Sequence, residues 1–293
     1  MEYENFVQVL IMTKFFIGLA IATIISYLAY RAGVLDRSGG LAAGILGTGV
    51  IGLGGVSWAL VLLTFFISAS VISKLFHIRK SVVEEYFAKG SRRDAGQVAA
   101  NGGVGGILVL VYFILCHFIP ESPLLPVTWL GFAASFGAAN ADTWATELGV
   151  LNSHQTVLVT NLRRVSKGTS GGVSLVGSLA ALCGSALVAG IAVLCSRAGL
   201  APPVRLNLWQ QFLLITISGF MGAFVDSMLG ATIQVIYTCP ACRKETERHP
   251  VHTCGSSTIR KRGLPWLNND WVNTACTLSA GVMGVVLGSL FGL

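Results

Sequence analysis

Apolar residues gather in runs near residues 6 to 30, 38 to 53, 56 to 74, 98 to 119, 126 to 149, 170 to 196, 208 to 237 and 271 to 292, separated by short polar stretches. A hydrocarbon layer about 30 Å thick needs an apolar helix of about 20 residues, so each run predicts a membrane-spanning helix. The second run is short and glycine-rich, and residues 52 to 55 read either as a tight turn or as a bend. Seven spans are therefore the competing count. The expected fold class is all-α, a polytopic integral membrane helical bundle of about eight transmembrane helices, with residues 1–293 forming a single transmembrane domain. The first run is too long for a signal-peptide core and lacks a small-residue cleavage site, so it reads as a retained helix.

Composition agrees with this pattern. With 53% hydrophobic residues, 11% charged residues and 35 glycines, the chain departs from any ordinary soluble domain. The net charge of +7 raises the question of nucleic acid, but its distribution argues against that partner. Basic residues cluster in three loops: Lys74 to Arg93, Arg163 to Lys167, and Arg243 to Arg262. Such loops face the cytoplasm by the positive-inside rule. Eight helices then place both termini outside, and seven would break the alternation. Residues 75 to 97 read as a cytoplasmic loop with an amphipathic helix on the membrane surface.

Two apolar runs carry acids. Asp142, Thr143, Thr146 and Glu147 interrupt one, and Asp226, Ser227 and Gln234 the other. Ionised side chains are costly in hydrocarbon and usually face a polar cavity there, so a functional site is expected. At helical spacing Asp142 shares a face with Thr146, and Asp226 with Gly222, Gly230 and Gln234. The predicted topology puts these acids in the cytoplasmic half, beside the starts of the outward helices. Those starts read Asp36 to Gly40, Gln97 to Gly103 with Asn101, Lys167 to Gly172 with Thr169 and Ser170, and Leu267 to Asp270 with Asn268 and Asn269. Helix N-termini with glycines favour anions, phosphate above all. The third start is the sharpest, because Arg163, Arg164 and Lys167 precede a Gly/Ser/Thr turn, although the P-loop order is absent. Carboxylates facing phosphates call for a hard cation, so Asp142 and Asp226, with Glu147 or Asp270 in support, read as Mg²⁺ anchors suited to phosphoryl transfer. The bland readings are close helix packing for the glycines and capping for Asp36 and Asp270.

Residues 238–265 form a separate Cys/His loop. Cys239, Cys242, His252 and Cys254, with His249 as an alternative, supply the ligand set of a structural zinc site. A disulfide is the competing reading, disfavoured in a reducing compartment. Cys116, Cys183, Cys195 and Cys276 read as small buried residues. The spacing Phe-x2-Ala-x2-Asp recurs at residues 136 to 142 and 220 to 226, consistent with a parallel repeat or with chance.

These residues, in this order, resemble the integral membrane family that contains plant phytyl-phosphate kinase: Asp36 to Gly40, Gln97 with Asn101 to Gly103, Ala141 to Trp144 with Glu147, Gly168 to Ser174, Asp226 to Gln234, and Asn268 to Asp270 with Asn273. The resemblance implies nucleotide-dependent phosphorylation of an isoprenoid monophosphate, phytyl- or geranylgeranyl-phosphate-like, with CTP as donor by family analogy. The expected protein is thus a prenyl-phosphate kinase in a prokaryotic inner membrane. Its active site would face the cytoplasm, and its partners would be isoprenoid phosphate, nucleoside triphosphate and membrane lipids. A transporter or lipid flippase using Asp142 and Asp226 for coupling ions is the alternative.

Overall fold

The computed structural model describes residues 2–80, 92–149 and 156–292, so residues 81–91, the middle of the loop 75–97 that is expected to carry a surface helix, lie outside the described residues. Among the described residues, eight α-helices follow in order: α1 Glu2–Arg31, α2 Arg37–Gly49, α3 Val56–Lys80, α4 Ala95–Phe118, α5 Leu124–Gly149, α6 Leu175–Arg197, α7 Leu208–Thr232 and α8 Asn269–Gly292. Polar residues start several of them as capping requires. Asp36, Ser174 and Asn207 accept from backbone amides of α2, α6 and α7, and Asp94 forms a capping box with Gln97 on α4.

Among the described residues, seven helices are long and apolar enough to cross a membrane unaided, and α2 is the exception with 13 residues. Its path continues through a π-helical turn of five residues, Val50–Gly54. The combined rod reaches about 27 Å at 1.5 Å per residue. It packs antiparallel to α1. A Cβ added at Gly44, Gly47 or Gly52 would meet Ser26, Ala22 or Phe15 in turn. Gly55, at φ 85°, then reverses the chain into α3. All eight helices therefore run between the same two ends of the bundle, which leaves both termini at one end.

Helix α5 is the axis, with every residue from Val127 to Ala141 buried. Lipid is as apolar as leucine, so such packing depends on close approach and hydrogen bonds. Glycines supply the approach: a Cβ at Gly131 would strike α8 at Val285, and one at Gly184 would lie 3.0 Å from the Asn140 carbonyl oxygen. Asn140 donates to the Gly184 carbonyl at 2.8 Å and accepts from Ser68 at 2.8 Å. Toward the end that holds the termini, Trp58, Trp129, Phe132 and Phe136 fill the interior, with ring centroids 4.5 Å apart for Trp58 and Phe132. The bundle surface is apolar, with Phe16, Ile24, Leu41, Ile45 and Ile107 exposed as a lipid-facing belt requires. Cys195 and Cys276 are buried, whereas Cys183 lies on this surface and Cys116 is half-buried, which corrects the expectation for those two.

Two small sheets cap the opposite end. Strands β1 Thr156–Leu158, β2 Arg164–Val165 and β3 Gly172–Val173 link α5 to α6, and β4 Ile236–Cys239, β5 Lys244–Thr246 and β6 Ile259–Arg262 link α7 to α8. Each sheet is antiparallel with its first strand in the centre. The second half of the chain thus repeats one plan, helix, three-stranded sheet, helix, and the two Phe-x2-Ala-x2-Asp stretches occupy equivalent helices. Arg262 closes the C-terminus of α7, donating to the carbonyls of Gly230, Ala231 and Thr232, where a cation also meets the negative end of the helix dipole.

Candidate active site

Helices α5 and α7 run in the same direction and touch where both are small. A Cβ at Gly219 would strike Ser185 and the Gly137 backbone, and one at Gly222 would lie 2.7 Å from Ala138 Cβ. Asp142 and Asp226 stand one turn further on, four residues beyond Ala138 and Gly222, so the contact sets the two carboxylates side by side. Both line a cavity of about 700 Å³ at the sheet-capped end. Asp226 Oδ2 is screened from solvent and has no hydrogen-bond partner among the described residues.

The remaining walls come from every part of that end. Helix α5 adds Thr143, Thr146 and Glu147, α4 adds Gln97 and Asn101, and the start of α8 adds Asn268, Asn269, Asp270 and Asn273. Asn268 caps α8, accepting from the Trp271 amide at 3.2 Å, and Asp270 stands in the first turn of the helix. The turn Lys167 to Gly172 supplies a further wall, with Gly168 and Gly171 at φ 81° and 79°. A Cβ at Gly171 would collide with Ala231, so only glycine lets the turn close on α7.

The turn does not open a helix as expected. Strand β3 follows it, and α6 begins at Leu175 behind the Ser174 cap, because Thr156 to Leu158 offers a pairing partner to Gly172 and Val173. Gln234 likewise lies beyond the end of α7, which stops at Thr232, yet it still reaches the cavity. It accepts from Ser170 at 2.6 Å and donates to Glu247 at 2.8 Å, tying the two loop systems together. Ser227 completes the predicted set at the cavity wall.

Two predicted residues are elsewhere. Arg163 is exposed in the β1–β2 turn, its amide held by Asn161 at 3.1 Å, and Arg164 lines a separate groove with Arg243 and Lys244. The turn carries both away from the cavity, and Lys167 at the rim is the member of that basic group that remains. In the Cys/His loop, the ligand atoms of Cys239, Cys242, His252 and Cys254 lie within 4.8 Å of one another. His249 stands apart, stacked on Tyr237 with ring centroids 4.4 Å apart, and lines the cavity instead.

The family model for an integral membrane protein, DUF92, matches residues 20–292. The chain belongs to the DUF92 integral membrane family. Among its relatives, Protein PGR of Arabidopsis thaliana is 32% identical over 86% of this chain and 88% of its own length. An uncharacterised membrane protein of Methanocaldococcus jannaschii is 24% identical over 94% of each chain. Protein VTE6, chloroplastic, of Arabidopsis thaliana is 24% identical over 88% of this chain and 64% of its own length. No solved structure matches.

This DUF92 member places in its cavity one residue that reading by charge alone passes over. Arg93 precedes α4 and is positioned by its backbone, which donates to Val34 at 2.9 Å and accepts from Asp36 at 3.0 Å. Its guanidinium lies 5.6 Å above the Phe65 ring and lines the cavity wall. Burial pushes Arg93 down to about 10, partly opposed by the Glu147 carboxylate. Glu147 in turn accepts from Ser73 at 2.9 Å. Ser73, Tyr237 and Glu247, which stand in no motif, and His249, which the spacing offers as an alternative zinc ligand, also line the wall.

Proposed function

We propose that this protein is a membrane prenyl-phosphate kinase. The observation that carries the reading is the meeting of Asp142 and Asp226 with Arg93 and the Lys167–Ser170 turn in one polar cavity. Its size falls within the range of about 300–1,000 Å³ usual for small-molecule sites. A narrow apolar slot of about 70 Å³, lined by Ile25, Leu46, Leu62, Phe65, Phe66 and Phe136, shares Arg93, Gln97 and Asn101 with the cavity. A ligand with an anionic head in the cavity suits that junction, the slot taking no more than the start of its isoprenoid tail. The resemblance to the family of plant phytyl-phosphate kinase supports the substrate class, and CTP as donor rests on the same analogy.

In the reaction, an oxygen of the prenyl monophosphate forms a bond to the γ-phosphorus of the nucleotide. The bond from that phosphorus to the β,γ-bridging oxygen breaks, and the nucleoside diphosphate leaves. The attacking phosphate is already anionic near pH 7, since its second pKa is about 6, so no general base is required. The carboxylates therefore have another task. Two unit charges of like sign 4 Å apart repel by about 4 kcal/mol at an effective dielectric constant near 20, too much for an uncompensated carboxylate pair beside polyphosphate. Asp142 and Asp226 would hold Mg²⁺, with Glu147 and Asp270 alongside, and the buried orphan oxygen of Asp226 fits such a role. Bound Mg²⁺ supplies charge neutralisation of the transferring group.

The chain's own work is positioning. Arg93 and Lys167 bind phosphate oxygens, and Arg93 replaces Arg163 and Arg164 in that role. Thr169 and Ser170 border the same anion, while Asn101, Asn268 and Asn269 orient it with the help of Gln97, Ser227 and Gln234. The aromatic packing around Trp58, Trp129 and Phe132 lies between the cavity and the far end, which favours an enzyme open to one side over a transporter. By the positive-inside rule the cavity faces the cytoplasm. Incubating purified protein with prenyl monophosphates, Mg²⁺ and each nucleoside triphosphate, then detecting diphosphate by mass, tests the reading. Absence of diphosphate with every combination contradicts it.

A further inference from the structure

The loop from Cys239 to Thr258 folds without an aliphatic core. Its buried side chains are Cys239, Thr246, His252 and Thr258, two of which are potential metal ligands. Small structures lacking a core need another form of cross-link. Sequence distance is also spanned here: Cys239 ends β4, Cys242 lies in the turn before β5, and His252 and Cys254 come from a second turn closed by the bond from the Gly255 amide to the His252 carbonyl.

We infer that Cys239, Cys242, His252 and Cys254 bind one Zn²⁺, which locks the β4–β5 hairpin over the cavity. The four ligand atoms lie within 4.8 Å of one another, and three of the six distances between them are close to the edges of a coordination tetrahedron. Zn–S bonds of about 2.3 Å and Zn–N bonds near 2.0 Å place tetrahedral ligands roughly 3.5–3.8 Å apart. Cys239 Sγ lies 3.5 Å from Cys254 Sγ, and His252 Nδ1 lies 3.7 Å from Cys242 Sγ and 3.3 Å from Cys254 Sγ. A disulfide, with sulfurs about 2.05 Å apart, is not formed by these cysteines and would leave the histidine unexplained. The Cys242 amide points at Cys239 Sγ at 3.5 Å, an orientation that stabilises thiolate. Four protein ligands close the coordination sphere, so the ion is structural and takes no part in chemistry.

Its consequence reaches the cavity through the backbone. Tyr237 lies two residues before Cys239, and Glu247 and His249 follow β5, all three lining the cavity wall. The metal thus holds Glu247 where it meets Gln234 at 2.8 Å. This influence on turnover rests on the kinase reading, whereas zinc binding does not.

The test is metal analysis of the full-length protein purified in detergent without chelator from zinc-supplemented cells, together with X-ray absorption at the zinc edge. About one Zn²⁺ per chain is expected, with a shell of three sulfurs at about 2.3 Å and one nitrogen. His249→Ala should keep the full complement. His252→Ala and Cys254→Ala should each reduce it several-fold after brief dialysis against a weak chelator, with size-exclusion profiles identifying which variant remains folded. If both cluster variants misfold, zinc release from wild type by a mercurial reagent, about one equivalent per three thiols titrated first, reads the same site. Protein without stoichiometric zinc, or with iron in its place, overturns the inference, as does retention of zinc in folded Cys254→Ala. Zinc at one per chain in a protein inactive on every prenyl phosphate leaves the metal site standing and removes the kinase reading alone.

Discussion

Gly222 on α7 meets Ala138 on α5 so closely that an added Cβ would lie 2.7 Å from the alanine's own. One turn beyond, the same two helices present Asp226 and Asp142 to the cavity. Overpacking of a tight interface costs about 1–3 kcal/mol and moves backbones. Gly222→Val should therefore part the carboxylates, lowering turnover at least about tenfold, since 1.4 kcal/mol in a barrier is a factor of ten. Turnover and thermal unfolding in detergent, measured together, check this. Unchanged turnover in a folded variant would show that the spacing of the two helices is not what the chemistry depends on.

Removing either charge should be more damaging than moving it. Asp142→Asn and Asp226→Asn are each expected to reduce diphosphate formation about a hundredfold or more while leaving the protein monodisperse, because phosphoryl transfer rests on cation stabilisation worth several kcal/mol. A Mg²⁺ titration should show weaker metal dependence of nucleotide binding in both. Full activity in both variants removes them as metal anchors.

The three arginines separate the structural account from the reading by sequence. Arg93→Gln should raise the apparent KM for prenyl phosphate or nucleotide about tenfold or more, as loss of a charge-assisted phosphate contact of roughly 1.5–3 kcal/mol implies. Arg163→Ala and Arg164→Ala should change it less than about twofold, as is usual for exposed charges with little structural role. Because burial makes the Arg93 cation costly, an anion bound beside it should stabilise the fold, and pyrophosphate should raise the melting temperature of wild type more than that of Arg93→Gln. Equal sensitivity of all three arginines would contradict the placement.

The eight traverses carry a topological consequence. Epitopes inserted between Glu121 and Ser122 and between Leu162 and Arg163 should be detected on opposite faces of the membrane, and tags at both termini on the face of the first. Protection of these sites in intact and permeabilised cells reads the arrangement. Termini on opposite faces would mean that the α2 rod turns back within the bilayer.

The sequence pattern led to the helices and the acids more readily than to the basic residues that complete the site. Spans of 20 or more residues have a period and a length that hydrocarbon imposes, so α1 and α3 to α8 were legible, as were the buried carboxylates that hydrocarbon makes expensive. The strands were not. With two to four residues each, β1 to β6 are too short for alternation to register, and their pairing moved Arg163 and Arg164 away from the cavity. In the sequence Arg93 is one more loop charge, because the pairing of Leu35 with Arg93 that sets its position joins residues almost sixty apart. Zinc ligands, in contrast, announce themselves by spacing, and the fold gathers the four expected.

Label transfer from a nucleotide carrying isotope only in its γ-phosphoryl group, followed in wild type and Asp226→Asn side by side, tests the kinase assignment most directly. The account predicts that label enters the terminal phosphate of the prenyl diphosphate with wild type and Mg²⁺, and that entry falls about a hundredfold or more in the variant. Label that remains in nucleotide or inorganic phosphate with every nucleotide offered, while vesicles show movement of ions or lipid that depends on Asp226, would contradict it.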